Sequence, residues 1–278
     1  MGKLYLEVKL SNLKNKADND WLISSLGEIE FESFVDENKT VLAYIQHDLF
    51  QLSSFEALLN EDFPHIEFEI KTIAPENWNQ NWESNFEAVV INKDCVIRAP
   101  FHPKPVNLAF DVVIMPRMSF GTGHHQTTKM MCEWILELDF KGQSVLDMGC
   151  GTGVLGILAM MKNAEIVVAI DIEDTAVENT EENFENNGFE ATYICGTADS
   201  IPDQLNFDVI LANINRNIIL QDFEKYIAHL KNNGLILMSG FLNVDENIIT
   251  DAANHLGFKK IGAKHVDEWA SICFQKNV

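Results

Sequence analysis

The chain has no long hydrophobic segment. No apolar run in its 278 residues approaches the ~18 residues that a membrane-spanning helix needs. The first ten residues, MGKLYLEVKL, have neither the basic-then-apolar pattern of a secretion signal nor the serine or threonine at position 6 that myristoylation requires. These absences predict a cytoplasmic protein without a membrane partner.

Cysteine is sparse and unpatterned. The five cysteines are odd in number, scattered, and never arranged as C-x-x-C, which argues against a disulfide framework and against a zinc site. We therefore expect reduced thiols and no bound metal.

Basic residues are few. The chain has 20 of them against 42 acidic residues, for a net charge of -22, whereas nucleic-acid-binding proteins concentrate lysine and arginine on one face. We expect no direct binding of nucleic acid. An acidic surface favours encounter with a basic partner, or it simply keeps the protein soluble, which is our preferred interpretation of the acidic run over residues 171–190.

The most informative pattern is SVLDMGCGTG, residues 144–153. A short apolar strand, a glycine-rich turn and a helix-type segment over residues 154–162 follow one another, and Asp171 ends the next apolar run. This order is typical of a nucleotide-type cofactor site, in which the strand-terminal acid accepts hydrogen bonds from ribose hydroxyls. The alternative is that the glycines only make a tight connection.

The glycine spacing indicates which class of cofactor the site binds. A dinucleotide site has the order G-x-G-x-x-G, but here Gly149, Gly151 and Gly153 alternate and Asp147 precedes them. A carboxylate at that point repels a pyrophosphate and attracts an ammonium group. The pattern therefore favours S-adenosylmethionine.

A second motif, SFGTGHHQTT at residues 119–128, directly precedes a helix-type segment. Its glycines and hydroxyls predict a flexible loop that folds over a ligand, with Thr127 and Thr128 able to cap the helix. The adjacent histidines have no third ligand at a suitable spacing, so they do not indicate a metal.

A third motif, FDVILANIN, ends a predicted strand at Asn213. An amide at the carboxyl end of a strand can face the ligand of an open α/β sheet, although a simple turn residue is the alternative.

The sequence predicts two domains and a connector. Residues 1–73 have the order βαββαβ of a ferredoxin-like α+β domain, with Asp18 and Asp48 as helix N-caps, a hairpin turn at 36–39, and a protein-binding or packing role. The predicted strands are 4–10, 29–36, 40–47 and 65–73, and the helices are 18–26 and 48–59.

The connector, residues 74–116, contains strands over 88–97 and 108–115 and a helix that begins at Pro75. Trp78, Trp82 and Phe86 share one face of that helix, either buried against a neighbouring domain or in contact with substrate. Residues 117–278 alternate helix and strand, as in a doubly wound Rossmann-like α/β sheet with a last, antiparallel strand reached by a tight hairpin.

The motifs FGTGHHQTT, LDMGCGTGVLGI, AIDI and FDVILANI, preceded by NWNQNWESNFE, resemble those of the bacterial methyltransferases of ribosomal protein L11. The resemblance runs from about Pro75 to the C-terminus, and the βαββαβ unit agrees with that family's substrate-recognition domain. It implies a class I methyltransferase domain that transfers methyl groups from S-adenosylmethionine to lysine ε-amines and the N-terminal α-amine of ribosomal protein L11. Gln126 stands where the family usually has proline, and Asn215 where an aliphatic residue is common.

The resemblance and the motifs together give a set of candidate cofactor-binding residues. They are Phe120, Gly121, Thr122, Gly123, His125, Thr128, Asp147, Gly149, Gly151, Asp171 and Asn213.

Methyl transfer requires little of the protein beyond positioning the amine and the cofactor, because a sulfonium already contains an activated leaving group. A lysine amine is neutral only once in about 2,500 molecules at pH 7, a cost of roughly 4.6 kcal/mol that desolvation and carbonyl acceptors can reduce. We expect Asn213 to position the amine without a dedicated base.

The absence of N-P-P-Tyr or N-P-P-Phe after the strand that ends at Asn213 favours an aliphatic amine over a planar amide or a nucleobase. The alternatives are an N-methyltransferase of another protein or a small amine, and a non-catalytic S-adenosylmethionine-binding protein. We expect a monomer.

Overall fold

The computed structural model describes residues 4–14, 16–36, 39–73, 86–117 and 120–277. Contacts divide the chain into two compact units, Met1–Phe86 and Glu87–Val278.

The first unit is a four-stranded antiparallel sheet with two helices. Its sheet order is β2-β3-β1-β4, and alternate residues of β1 and β3 are buried, which leaves one sheet face packed under the helices. This arrangement confirms the ferredoxin-like prediction. In chain order the elements are β1 (Tyr5–Ser11), α1 (Lys16–Gly27), β2 (Ser33–Asp36), β3 (Thr40–Gln46), α2 (Leu52–Asp62) and β4 (Glu67–Ile73).

Both N-caps predicted in this unit are wrong. Helix α1 begins at Lys16, so Asp18 lies inside its first turn. Asp48 lies in a separate 3₁₀ turn, and the extended backbone at Phe50 interrupts the chain before α2 begins at Leu52. The hairpin turn predicted at 36–39 contains residues 37 and 38, which lie outside the described residues.

The second unit opens with a small three-stranded sheet made of β5 (Val89–Asn92), β6 (Cys95–Arg98) and β7 (Phe110–Val113). The single strand predicted over 88–97 is therefore a hairpin, which turns where Asn92 Oδ1 accepts a hydrogen bond from the Asp94 amide at 2.9 Å. Pro75, Trp78 and Trp82 of the predicted aromatic helix lie outside the described residues.

The main sheet has seven strands in the order β10-β9-β8-β11-β12-β14-β13. All neighbouring pairs are parallel except those of β14, which is antiparallel to both β12 and β13. This confirms the doubly wound Rossmann-like sheet with an antiparallel last strand. Its strands are β8 (Ser144–Met148), β9 (Ile166–Asp171), β10 (Thr192–Cys195), β11 (Phe207–Asn213), β12 (Leu230–Leu242), β13 (Phe258–Val266) and β14 (Trp269–Lys276).

Five helices cover this sheet, and apolar residues that alternate along the strands form a core cluster on each face. Within β8, for example, Val145 packs into one cluster and Leu146 into the other. The helices are α3 (Gln126–Glu137), α4 (Val154–Met161), α5 (Asp174–Asn186), α6 (Arg216–His229) and α7 (Glu246–His255).

Parallel pairing brings the carboxyl ends of β8, β9 and β11 to one edge of the sheet. Met148, Asp171 and Asn213 end these three strands, and this edge is where ligands bind in open α/β folds. Among the described residues, no helix has the length and apolarity needed to cross a membrane. The cysteines are free thiols.

Candidate active site

A cavity of about 880 Å³ lies at the carboxyl edge of the main sheet, within the size range of cofactor sites. Six of the eleven candidate residues line it. They are Phe120, His125, Gly149, Gly151, Asp171 and Asn213.

Residues 149–153, the glycine loop, form one wall of this cavity. Gly149, Gly151 and Gly153 all have positive φ angles, of 70°, 57° and 77°, a backbone region that glycine adopts without steric cost. The amides of Gly149 and Cys150 donate to the Ile170 carbonyl at 2.8 and 3.1 Å. The loop is therefore held against the end of β9.

Asp171 is fixed by two backbone amides. Its Oδ2 accepts from the Gly151 amide at 2.9 Å, and its Oδ1 accepts from the Glu173 amide at 3.1 Å. A carboxylate has about four acceptor positions, so two remain for the hydroxyls of a ligand. The strand-terminal acid lies on the cavity wall, as the sequence pattern predicts.

Asp147 lies behind the glycine loop and is not part of the cavity wall. It is buried, and its Oδ2 accepts from the Gly156 amide at 2.9 Å. Burial raises the pKa of Asp147 to about 7; the Gly156 hydrogen bond opposes this shift and the charge of Asp171 adds to it. Its pairing with a ligand ammonium stays a prediction.

Asn213 presents an unused acceptor. Its Nδ2 donates to Thr128 Oγ1 at 3.3 Å, while its Oδ1 is buried and has no hydrogen-bond partner among the described residues. A buried carbonyl oxygen without a donor is costly, so this atom is suited to a ligand N–H. Thr128 is buried outside the cavity wall and contacts Asn213 instead of lining the site.

Residues 120–125, called here the 120–125 loop, contribute two aromatic side chains, Phe120 and His125, to the cavity wall. The ring centroids of Phe120 and His125 are 5.3 Å apart, and those of His125 and Trp269 are 4.6 Å apart. His125 is also the N-cap of α3, with its ring accepting from the Thr127 amide. The predicted capping by Thr127 and Thr128 is therefore wrong, because the helix begins at Gln126 and both threonines lie inside its first turn.

The other loop residues of the candidate set are not part of the main cavity wall. Gly121 and Thr122 line a separate depression of about 340 Å³. Gly123 lies over Ile97, where a β-carbon would come within 2.7 Å of Ile97 Cδ1.

The two departures from the family pattern have structural roles. Gln126 occupies the first position of α3, which suits proline, and its Nε2 donates to Asp267 Oδ2 at 3.0 Å. Asn215 is the N-cap of α6 and accepts from the Asn217 amide at 2.9 Å.

Sequence reasoning missed several residues of the cavity wall. Thr197 and Asp199 follow β10, so the strand-end rule that identified Asp171 and Asn213 would have found them as well. Lys225, on α6, forms ion pairs with Asp199 at 2.8 Å and Asp222 at 3.0 Å. Trp269 reaches the site from the hairpin between β13 and β14, and no local pattern indicates that position.

Comparison with known proteins shows which family this chain resembles. The model of the family described as "Ribosomal protein L11 methyltransferase (PrmA)" matches residues 10–277. Curated proteins named Ribosomal protein L11 methyltransferase are similar over nearly the whole chain. The protein of Phocaeicola vulgatus is 40% identical, over 97% of this chain and 98% of its own. That of Porphyromonas gingivalis is 42% identical, over 92% and 90%.

A solved structure supports the fold. The crystal structure of a ribosomal protein L11 methylase from Lactobacillus delbrueckii subsp. bulgaricus aligns with a TM-score of 0.65 at 23% identity, over 69% of this chain and all of that chain.

Proposed function

The chain belongs to the ribosomal protein L11 methyltransferase family, and from that membership we propose that it methylates lysine ε-amines and the N-terminal α-amine of ribosomal protein L11, with Asn213 positioning the amine. It is an S-adenosylmethionine-dependent methyltransferase. The observation that carries the positioning role is the buried, unpartnered Asn213 Oδ1 on the cavity wall.

The residues of the cavity fit the cofactor. Asp171 has free acceptor positions for ribose hydroxyls, and the positive-φ glycine loop brings backbone, without side chains, to the wall. On the wall, Lys225 balances only part of the negative charge of Asp199 and Asp222. Asp171 and Glu173 add two further carboxylates, which suits a ligand that carries positive charge. We propose that the positive charge of the bound cofactor favours the ionised form of Asp147, which then adds to this field from behind the loop.

When bound, S-adenosylmethionine supplies an activated methyl group. Asn213 Oδ1 accepts a hydrogen bond from the incoming amine and so orients its lone pair. The apolar parts of Ile214 and Trp269 border the same cavity and exclude water from the amine, which lowers the amine pKa. Thr128 holds the Asn213 amide in place through its hydroxyl. No side chain is needed as a dedicated base.

We assign recognition of the protein substrate to the N-terminal ferredoxin-like domain, residues 1–73. None of the described residues that line the cavity belongs to it. The net charge of -22 supports a basic protein partner. We further propose a monomer that acts in the cytoplasm and binds neither nucleic acid nor membrane directly.

The test is transfer of labelled methyl groups to purified ribosomal protein L11, with the modified residues located by mass spectrometry. Label on lysine side chains and on the N-terminal amine is the expected result. A parallel reaction with a ribosome-free extract reveals any other acceptor. Label only on another protein or a small amine would favour the alternative substrates, and cofactor binding without transfer would favour a non-catalytic binding protein.

A further inference from the structure

Thr152 joins the glycine loop to the 120–125 loop. Its amide donates to the Phe120 carbonyl at 3.0 Å, and its hydroxyl donates to the Gly121 carbonyl at 2.7 Å. The residue is fully buried. Two consecutive carbonyls of one loop are thus held by a single residue of the other.

The glycines on both sides of this junction permit the close approach. A β-carbon on Gly151 would lie 2.3 Å from the Phe120 carbonyl oxygen, and one on Gly121 would lie 2.7 Å from Thr152 Oγ1. Neither position has room for a larger residue. The two loops therefore meet backbone to backbone.

A second side chain anchors Thr152 from the opposite direction. Asn183, buried on α5, donates from Nδ2 to the Thr152 carbonyl at 2.9 Å, and its Oδ1 accepts from the Met115 amide at 2.7 Å. Through Asn183, helix α5 thus holds both the glycine loop and the chain segment before the 120–125 loop. This gives Thr152 a fixed base from which to hold the loop.

We propose that Thr152 is a positioning residue that latches the 120–125 loop in the place where Phe120 and His125 form the cavity wall. The inference rests on the proposed function, in which that cavity binds the cofactor and the amine. Past the loop, His125 caps α3, and Thr128 on that helix bonds Asn213. Loss of the latch therefore disturbs the cofactor cavity and the amine-positioning side chain together.

The proposal depends on the hydroxyl of Thr152 and not on the shape of its side chain, and two variants separate these properties. Thr152→Val keeps the branched shape but leaves the Gly121 carbonyl without its donor, whereas Thr152→Ser keeps the donor. We expect the amide of residue 152, which donates to the Phe120 carbonyl, to exchange its hydrogen about 10-fold faster in the valine variant, because the 120–125 loop is then held by one hydrogen bond fewer. The serine variant should exchange nearly as slowly as the unaltered protein.

Turnover and cofactor affinity give the second readout. Thr152→Val should lower kcat for methylation about 10-fold or more and weaken S-adenosylmethionine binding. Thr152→Ser, which keeps the hydroxyl, should leave both close to those of the unaltered protein. Unchanged exchange of the amide of residue 152 in the valine variant would overturn the proposal. Equal damage in the valine and serine variants would also overturn it, because the hydroxyl would then not be the cause.

Two other buried threonine hydroxyls serve as matched controls. Thr250 Oγ1, on α7, has no hydrogen-bond partner among the described residues, so Thr250→Val should change neither exchange nor turnover. Thr180 Oγ1 donates to the Gly151 carbonyl at 3.0 Å but not to the 120–125 loop. If Thr180→Val released the 120–125 loop as much as Thr152→Val does, any disturbance of the glycine loop would have this effect. The proposed latch by the Thr152 hydroxyl would then be wrong.

The exchange experiment needs no turnover, which separates the two proposals. If the unaltered protein fails to methylate ribosomal protein L11, the proposed substrate is wrong. The latch is still tested by the exchange of the amide of residue 152.

Discussion

Gly149 and Ile214 are packed so closely that a β-carbon on Gly149 would lie 2.2 Å from Cγ2 of Ile214. From the other side, a β-carbon on Gly240 would lie 2.2 Å from the Ile214 carbonyl oxygen. Glycines from β12 and from the loop after β8 therefore fix the residue that follows Asn213. Besides the close approach to a cofactor that we propose for it, Gly149 thus packs against the residue that follows Asn213, the side chain proposed to position the amine.

Gly149→Ala should lower both cofactor affinity and turnover, because the new methyl group displaces Ile214 and with it Asn213. Gly188→Ala is the matched control, since Gly188 also has a positive φ angle of 75° but no neighbour within 4 Å. The control should show only the backbone strain of about 1–2 kcal/mol in the free energy of unfolding. Calorimetric titration and initial rates measure the difference.

A double variant identifies the contact. Adding Ile214→Ala to Gly149→Ala removes the colliding side chain, so the two changes should be strongly non-additive in cofactor affinity. Strict additivity would contradict the collision.

Asp171→Ala should weaken S-adenosylmethionine binding about 10- to 100-fold, since it removes acceptors worth about 1.5–3 kcal/mol. Part of this loss comes from the glycine loop, because the Gly151 amide loses its acceptor. Asp174→Ala, in the first turn of α5 and outside the cavity wall, should leave affinity unchanged. Native affinity in folded Asp171→Ala would refute the cofactor assignment.

Asn213→Ala should lower kcat by at least 10-fold and change cofactor affinity much less, because the lost oxygen orients the amine. Asn217→Ala removes a nearby, exposed asparagine that is not part of the cavity wall and serves as the control. Initial rates and equilibrium binding, measured on the same preparations, separate the two effects. Normal turnover in the Asn213 variant would assign it a purely structural role.

Asp147→Asn should change how stability depends on pH. The carboxyl keeps its proton up to about pH 7 in the folded protein but ionises near 3.8, its reference value, when unfolded. Between these values the native state binds more protons, so the free energy of unfolding falls as pH rises. Asparagine cannot ionise, so this loss disappears in the variant.

Between pH 4 and pH 8 the free energy of unfolding of the variant should therefore rise relative to that of the unaltered protein. The upper limit of this rise is about 4 kcal/mol, at 1.36 kcal/mol per pKa unit. Denaturant unfolding at several pH values measures it, and the exposed Asp203→Asn controls for removal of a charge. Parallel curves for all three proteins would exclude the raised pKa.

A truncated chain of residues 87–278 should still bind S-adenosylmethionine but methylate ribosomal protein L11 at least 10-fold more slowly. Among the described residues, all those that line the cavity belong to the unit Glu87–Val278, and the removed unit carries the proposed recognition domain. Cooperative thermal unfolding of the truncated chain is the control for folding. Full activity toward the intact protein substrate would show that residues 1–86 do not recognise it.

The sequence by itself determined the features that depend on local pattern. Alternating and apolar runs predicted the strands of the four-stranded and the seven-stranded sheet, because a side chain's sheet face follows from its position along the strand. Gly149, Gly151, Asp171 and Asn213 were recognisable because each has a required residue type at a strand end, and parallel strands bring those ends together. Signals that span one or two residues were weaker, and both N-caps of the first unit and the turn at Asp94 were missed.

Only the tertiary structure decided which atoms of these residues are available. Asp147 is directed to the Gly156 amide behind the loop, whereas Asn213 keeps one free buried oxygen, and sequence pattern cannot distinguish the two outcomes. Trp269 and Thr152 acquire their positions from contacts with segments far away in the chain. Such contacts depend on how whole elements pack, so the geometry of the site follows from the fold and not from any single motif.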